Sequence, residues 1–456
     1  MEVTARPGDA KPRYLTLILI GLVLLRWWLG TLPGYPHDLG AYKRWALTAG
    51  LQGVPSVYDQ ARTTYDYPPL YAYLLAPWGR AYATVAPAAT REFTATGVFG
   101  DSAFLSLLVK IPPLAFDILI AFLLGTLAWR FRMWPGRSGR GWWPALLYLL
   151  LPAVLFDSGY WGQPDAVHTF SILLALTLIL VGKPQWGWAS AALGCLMKPL
   201  ALPFLPLLAL ATLVRSGWRG IVLGAAGALG AALLVYLPFL ATGRGGLALQ
   251  RLFQDIGAMP FTSSNAHNLW WLIGPWKPAD AAWIGPVTPD AVGLGLFAIF
   301  YAIVLWRLWS FERARLAGRL PIARGPEALS TQHHWYLGAA AIAFGFFVFS
   351  THMHENHLFG VLPFLVLLSG SGRRFGLTLA LAVGATVLVN MAIHDWNLAQ
   401  GVWSKIGGTS GYFHPDFQRN LSNLEYWVAN VNAMAVVAGF ALFAIRGWKE
   451  TSPRAG

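Results

Sequence analysis

Residues 14–45 read YLTLILIGLVLLRWWLGTLPGYPHDLGAYKRW. Positions 14–33 carry one charge, Arg26, over a length that crosses the hydrocarbon core of a bilayer. Pro33, Gly34 and Pro36 then break the run, and a polar loop opens on His37 and Asp38. A carboxylate placed where a first helix leaves the bilayer is within reach of a lipid head group. Asp38 is therefore the first candidate functional residue. Behind it, 39–50 (LGAYKRWALTAG) reads as a short helix with Leu39, Tyr42, Trp45, Ala46 and Ala49 on one face and Lys43 and Arg44 off it. That pattern predicts an amphipathic helix lying along the membrane surface. Asp38 stands at its N-cap position, and helix capping is the alternative account of that residue.

Composition extends the reading to the whole chain. Of 456 residues, 56% are hydrophobic and 12% charged, against about 25% charged in soluble domains. So few charges cannot cover a globule of this size, so lipid is the expected solvent. The 23 Trp and 16 Tyr suit the membrane interface. The single cysteine, Cys195, rules out an intramolecular disulfide, so packing alone must hold the loops. The net charge of +13 raises a nucleic-acid partner. The cations, however, are scattered between apolar runs and form no stripe, so none is expected.

Apolar runs near 14–33, 103–128, 141–157, 165–182, 186–198, 199–214, 219–241, 288–308, 334–351, 357–371, 375–394 and 426–445 predict about twelve transmembrane helices. The pair across Lys198-Pro199 is open to a second reading, as a broken or re-entrant pair. The expected class is an all-α polytopic membrane protein. It divides into a module 1–241, with a long first outer loop 34–102 carrying short amphipathic helices, and a module 242–456, with outer loops 242–287 and 395–425. The polar N-terminus lacks the small-residue cleavage site of a signal peptide, so the first apolar segment is expected to be retained.

Basic residues orient this arrangement. With the N-terminus in the cytoplasm, the loops on that side hold 20 of the 33 Lys and Arg but only five of the 20 acids. Among the basic ones are Arg6, Lys11, Arg132, Arg137, Arg140, Arg215, Arg219, Arg313, Arg319, Arg324, Arg373 and Arg454. This is the bias that fixes cytoplasmic loops. Both termini are expected inside, and the long loops outside.

Chemistry is expected in the outer loops. Asp66-Tyr67-Pro68-Pro69-Leu70-Tyr71 fixes the backbone at two successive positions, which also suits a helix start. The short loop Phe156-Asp157-Ser158-Gly159-Tyr160-Trp161-Gly162-Gln163-Pro164-Asp165-Ala166 sets carboxylates, aromatics and an amide between two membrane helices, where unpartnered polar groups are costly. Trp161 suits stacking on a sugar face and Gln163 suits its hydroxyls; Asp165 also suits a helix cap. Thr351-His352-Met353-His354-Glu355-Asn356-His357 lacks the two histidines four apart of a zinc helix. No metal is expected there. His354 and His357 suit a phosphate at the membrane surface. Arg26, Asp117 and Lys198 lie within or near apolar runs, where charges mark substrate paths or pair with one another. Arg26 and Lys198 are candidates to hold a lipid phosphate, and snorkelling to the head groups is the alternative. Asp117 receives no role.

These motifs, in this order, resemble the lipid-phosphate-sugar-dependent membrane glycosyltransferases of the GT-C fold. The nearest resemblance is to bacterial mannosyltransferases related to the second mannosyltransferase of GPI-anchor assembly. The chain also resembles the endoplasmic-reticulum glucosyltransferases of N-glycan assembly. The residues that carry it are Asp38-Leu39 with Trp45 and Ala46, the Asp66–Tyr71 run, Trp161–Ala166, Lys198-Pro199, Asn265-Ala266-His267-Asn268-Leu269-Trp270 and Met353-His354-Glu355. They cover most of residues 15–370.

The resemblance implies an inverting transfer at the extracytoplasmic face of the plasma membrane. The donor would be a polyprenyl-phosphate sugar, mannose foremost, and the acceptor a glycan, lipid or protein. Asp38 would be the general base, with no cofactor or metal. His354 and Glu355 would lie near the donor phosphate. Asp66, Tyr67, Trp161, Gln163, Asp165, Asn265 and Glu355 would contact sugar or acceptor. This chain has Asn356 where the family has a basic residue, so either His357 takes over or donor recognition differs. The rival readings are a transporter or flippase of lipid-linked saccharides, and a noncatalytic subunit of a glycosylation complex.

Overall fold

The computed structural model describes residues 13–59, 65–100, 102–130, 142–254, 260–318, 332–369, 374–406, 409–415 and 419–451. Of the basic loop residues invoked above, Arg6, Lys11, Arg132, Arg137, Arg140, Arg319, Arg324, Arg373 and Arg454 lie outside the described residues.

The described chain is mostly helical. Helix α1 (Arg13–Gly30) ends in a turn where Gly34 has φ 62°. A Cβ there would lie 2.7 Å from the Tyr160 carbonyl oxygen and 2.9 Å from that of Trp161, so only glycine lets the turn approach so closely. The turn feeds α2 (Pro36–Gln52), which begins three residues earlier than the sequence suggests because Pro36 is preset for a first helical turn. Tyr35 is its N-cap, and Asp38 lies within the first turn.

Helix α3 (Leu70–Val85) starts behind Pro68-Pro69, as the proline pair suggests, and α4 (Pro87–Thr96) follows. Helices α2 and α3 cross so closely that a Cβ on Gly79 would meet the Ala46 carbonyl oxygen at 1.8 Å. The expected face of α2 is buried, but so are Lys43, Leu47 and Thr48. The helix is packed into the protein on most sides and does not simply float on the membrane surface.

Helix α5 (Ala103–Arg130) is one long apolar helix. Helices α6 (Trp143–Leu150) and α7 (Pro152–Trp161) meet at 58°, and α7 is π-helical from Leu155 onward. Then come α8 (Asp165–Leu180) and α9 (Pro184–Cys195). Lys198 is extended, as the residue before a proline tends to be, and a 3-10 turn at Pro199–Phe204 leads into α10 (Leu205–Ala241). Gly217, at φ 62°, breaks α10 between two of the predicted apolar segments.

The remaining elements are α11 (Gly245–Gln254), α12 (Leu269–Ile273), α13 (Pro289–Leu316), α14 (His333–Phe349), a 3-10 turn His357–Val361 into α15 (Leu362–Leu368), α16 (Arg374–Ile393), α17 (Trp396–Gly401), an antiparallel pair β1 (Thr409–His414) and β2 (Arg419–Ser422), and α18 (Asn423–Thr451). Among the described residues, the strand pair is the only sheet.

Among the described residues, each of the twelve apolar segments overlaps a helix. Five stretches among the described residues are long and apolar enough to cross a membrane: 103–129, 199–241, 289–316, 375–393 and 423–448. The bent pair α6–α7 makes a sixth. Shorter apolar helices cover 17–30, 165–180, 333–349 and 357–368. Helices α10 and α13 turn Trp218, Leu234, Leu294, Ile299 and Trp306 outward, as a protein solvated by lipid does. The main apolar core runs from Leu22 to Phe443 and draws on both predicted modules. A second core, around Tyr42, Trp45, Tyr65 and Tyr71, underlies the first long loop.

The described basic residues near the helix ends have local partners. Arg215 donates to the Leu180 carbonyl, and Arg307 and Arg446 stack on Trp448 and Phe375. Near them Glu312 accepts from Arg315, His334 and Trp335.

Candidate active site

Asp38 is held by side chains more than 120 residues away. Its Oδ2 accepts from Trp161 Nε1 at 3.1 Å and Gln163 Nε2 at 2.5 Å. Gln163 is oriented in turn, since its Oε1 accepts from the Tyr42 hydroxyl at 3.0 Å. The π-helical end of α7 makes this possible: the Asp157 carbonyl accepts from both Gly162 N and Gln163 N, which turns the chain so that Trp161 and Gln163 point at α2. Lys110 of α5 ties the same corner, donating to the Leu32 and Tyr160 carbonyls at 2.8 and 2.6 Å. The capping account of Asp38 fails on this geometry. No backbone N–H is its partner, and its Oδ1 makes no hydrogen bond among the described residues.

A second carboxylate organises the neighbouring wall. Asp165 Oδ1 accepts from Lys198 Nζ at 2.7 Å, and Oδ2 accepts from Asn356 Nδ2. Pro164, not Asp165, holds the N-cap position of α8. Asn356 therefore ties the 351–357 loop to α8, and Lys198 is the cation that Asp165 fixes beside it. Lys198 Nζ also lies 6.0 Å from the centre of the Tyr67 ring.

The 351–357 loop is pinned from the other side by 260–268. His352 N donates to Phe261 O, and Ser264 N to Met353 O. His352 and Asn265 adopt φ of 60° and 68°, left-handed values uncommon outside glycine and found where surroundings force them. His354 Nδ1 lies 3.7 Å from Glu355 Oε2, and its ring is 5.1 Å from that of His357.

These walls enclose a cavity of about 1390 Å³. Of the residues singled out from the sequence, Asp38, Asp66, Tyr67, Gln163, Lys198, Asn265, His354, Glu355 and His357 line it. Three do not. Trp161 is fully buried, its ring against Tyr35 at 5.1 Å and its N–H spent on Asp38, so no sugar can stack on it. Asp165 has both oxygens taken by protein groups and acts behind the wall. Arg26 is buried against Asp117 Oδ2 at 3.9 Å and donates to the Leu149 carbonyl at 2.7 Å, while the Tyr148 hydroxyl donates to Asp117 Oδ1 at 2.9 Å. It is a structural pair within the bundle, and Arg26, expected at the donor phosphate, does not line the cavity.

Electrostatics follow from the same packing. Burial pushes the Asp38 carboxyl up to about 6; Glu355 adds to this, and His37, His354 and Lys198 oppose it. Burial also pushes Asp66 above its ordinary value. For His354, burial works against the cation, but Glu355 outweighs it and raises the imidazole above its usual range. An activated carboxylate thus faces a wall bearing a lysine and a cation-favouring histidine.

Sequence reasoning missed Tyr42 and Lys110 as positioning groups. Tyr42 was legible only as part of an apolar face, and Lys110 had no signal beyond being a lone charge in an apolar run. It also missed a line of buried imidazoles. His267 Nε2 and His394 Nε2 lie 3.0 Å apart, and His394 Nδ1 and His414 Nε2 2.9 Å apart. Asn432 donates to His267 Nδ1 at 2.9 Å. Among the described residues, no group of three or more His, Cys, Asp or Glu is placed to hold a metal ion.

No family model matches the chain, and no curated protein matches it in sequence.

Proposed function

We propose that the protein is an inverting glycosyltransferase of GT-C type that moves a sugar, mannose foremost, from a polyprenyl-phosphate donor to an acceptor hydroxyl. The observation that carries this is Asp38. Its carboxylate is held through one oxygen by two N–H donors, is raised to about 6, and lines a large cavity beside Lys198 and His354. A base of that strength is ionised at neutral pH yet still takes a proton readily.

In the proposed step Asp38 removes the acceptor hydroxyl proton as that oxygen bonds to the anomeric carbon. The bond from the anomeric carbon to the phosphate oxygen breaks, and the electron pair leaves on the phosphate. Lys198 and His354 stabilise the charge that develops there. Asp165 and Asn356 hold Lys198 and the His354 loop in place. The proton on Asp38 then passes to water. Lys198 takes the part expected of the basic residue that Asn356 replaces. Apolar Leu200, Leu202, Leu294 and Phe346 line the rest of the cavity and suit the first isoprene units of the donor.

Twelve crossings of the plasma membrane, with both termini cytoplasmic, complete the proposal. The long loops and the cavity then face outward.

The deciding experiment is sugar transfer from polyprenyl-phosphate mannose in membranes, comparing the natural chain with Asp38→Asn at equal expression. The expected loss is about 10²–10⁴-fold, the range for removing a general base. Full activity in the mutant would sink the catalytic assignment. Absence of transfer by the natural chain from mannosyl, glucosyl and arabinosyl donors alike would remove the transferase.

A further inference from the structure

The open side of α2 carries a second cavity, and we infer that it is an acceptor subsite for a saccharide. This inference rests on the transferase reading, because it takes Asp38 as the base. Asp38 stands where the two cavities meet: Pro36, His37, Asp38, Asp66 and Tyr67 line both. The larger continues toward Lys198 and His354. The smaller, of about 340 Å³, runs along Gly40, Ala41 and Arg44.

His37, Gly40, Ala41 and Arg44 share one helical face. All four are exposed or half-exposed, whereas Tyr42, Lys43 and Trp45 turn inward and are buried. The small residues keep the floor low, since a Cβ built on Gly40 meets nothing within 4 Å.

A base that serves two substrates must be reachable by both. The arm holding Lys198 and His354 suits the leaving phosphate, so the acceptor belongs in the other. That arm offers a guanidinium, Arg44, and a carboxylate, Asp66, and neither is committed to an ion pair among the described residues. It has no leucine, isoleucine, valine or phenylalanine along which an acyl or prenyl chain could lie. With Asp38 beside them, its charges do not favour an anion. The groups that remain are the His37 imidazole, the half-buried Tyr67 ring, with the buried Tyr42 and Trp45 rings behind it, a fork of N–H donors and a carboxylate. A carboxylate accepts from two neighbouring hydroxyls, and a guanidinium donates to hydroxyl or ring oxygens. A polyol matches this set, and a sugar presents one hydroxyl toward Asp38 while its neighbours are held by Asp66 and Arg44.

Saturation-transfer difference NMR on the full chain in lipid nanodiscs tests this without turnover. The probes are the methyl glycosides of mannose, glucose and galactose. At least one is expected to give a signal, weakened at least about tenfold by Asp66→Asn or Arg44→Ala, as for loss of a charged hydrogen bond. Gly40→Leu is expected to abolish the signal by filling the groove while removing no polar group. Undecaprenyl phosphate is expected to leave the signal in place. The proposal fails if no glycoside gives a signal, if the signal survives all three substitutions in variants that melt like the natural chain, or if the lipid phosphate displaces it. It also fails if dodecanol or a threonine peptide, and not a glycoside, depends on these residues. A glycoside signal with the expected dependence, but no sugar transfer from any donor, removes the transferase and leaves the subsite. Transfer without any glycoside signal does the reverse.

Discussion

Asp38 shows how far packing can move a residue from its ordinary behaviour. Burial raises its carboxyl from 3.8 to about 6. The base works only when ionised, so kcat/KM is expected to fall about tenfold per pH unit below about 6. A profile that stays flat down to pH 4.5 would argue against Asp38. The same shift has a sign for stability. The folded state binds the proton more tightly than the unfolded chain. The folded state is therefore penalised as pH rises through the window from 3.8 to about 6, and the penalty stays in full above it. Asp38→Asn is expected to melt higher than the natural chain at pH 7, by at most roughly 1–3 kcal/mol. Near pH 4 the difference should vanish. Losing activity while gaining stability is what separates a functional base from a structural carboxylate.

At the scale of elements, the line His267–His394–His414 joins the 260–268 loop, the end of α16 and the β1–β2 pair. Asn432 fixes its direction, because its amide also donates to the Thr386 carbonyl at 3.0 Å. Asn432 Nδ2 donates to His267 Nδ1, so His267 donates through Nε2 to His394, and His394 through Nδ1 to His414. Each bond needs an unprotonated acceptor nitrogen. Burial holds His267 and His414 at about 3, and His394 well below its ordinary value. Folded values below the unfolded 6.5 mean that this contribution is complete above pH 6.5 and is lost as pH falls toward about 3. Protection factors, which correct for the intrinsic slowing of amide exchange in acid, are expected to fall in 260–268 and 409–415 as pH drops from 6.5 to 4. His394→Phe should flatten that pH dependence. Equal protection factors across the range in the natural chain would show that the imidazoles do not hold these elements together.

The whole molecule adds two expectations. Arg26 and Asp117 couple α1 to α5 inside the bundle. Removing one partner strands a buried charge, so Asp117→Leu is expected to cost about 3–5 kcal/mol in a detergent melt. Replacing both with leucine should cost less than replacing either alone, and should leave the KM for donor unchanged. A raised donor KM in the double mutant would restore Arg26 to the phosphate site. Orientation is open to labelling, because the one cysteine, Cys195, is buried. Ala282 and Arg219 are both exposed; Ala282 lies in the 242–287 loop and Arg219 just past the break in α10, in segments assigned to opposite faces. A membrane-impermeant maleimide on intact cells is expected to modify Ala282→Cys and to spare Arg219→Cys. Modification of both, or the reverse pattern, would overturn the arrangement with both termini inside.

The sequence by itself determined the membrane class and the positions of the apolar helices, because hydropathy summed over a helix length is a local property. It also picked out the polar motifs, though Asp38, Trp161 and Asp165 stand on helix ends and not in loops, and nine of the twelve residues marked as site candidates meet at one cavity. It erred where the answer depended on a distant partner. An aspartate just before a helix can cap it or wait for a substrate. Only the structure shows that the oxygens of Asp38 go to Trp161 and Gln163, 123 and 125 residues away. Trp161 was legible as an aromatic but not as a buried donor, and Asp165 as an acid but not as the partner of both Lys198 and Asn356. Arg26 carried the same local signal as Lys198, yet packing gave one to Asp117 and the other to the cavity wall. Charge in an apolar run says that a partner must exist, because an unpaired one is too costly to bury. Which partner it is depends on how the helices pack, and only the tertiary structure decided that.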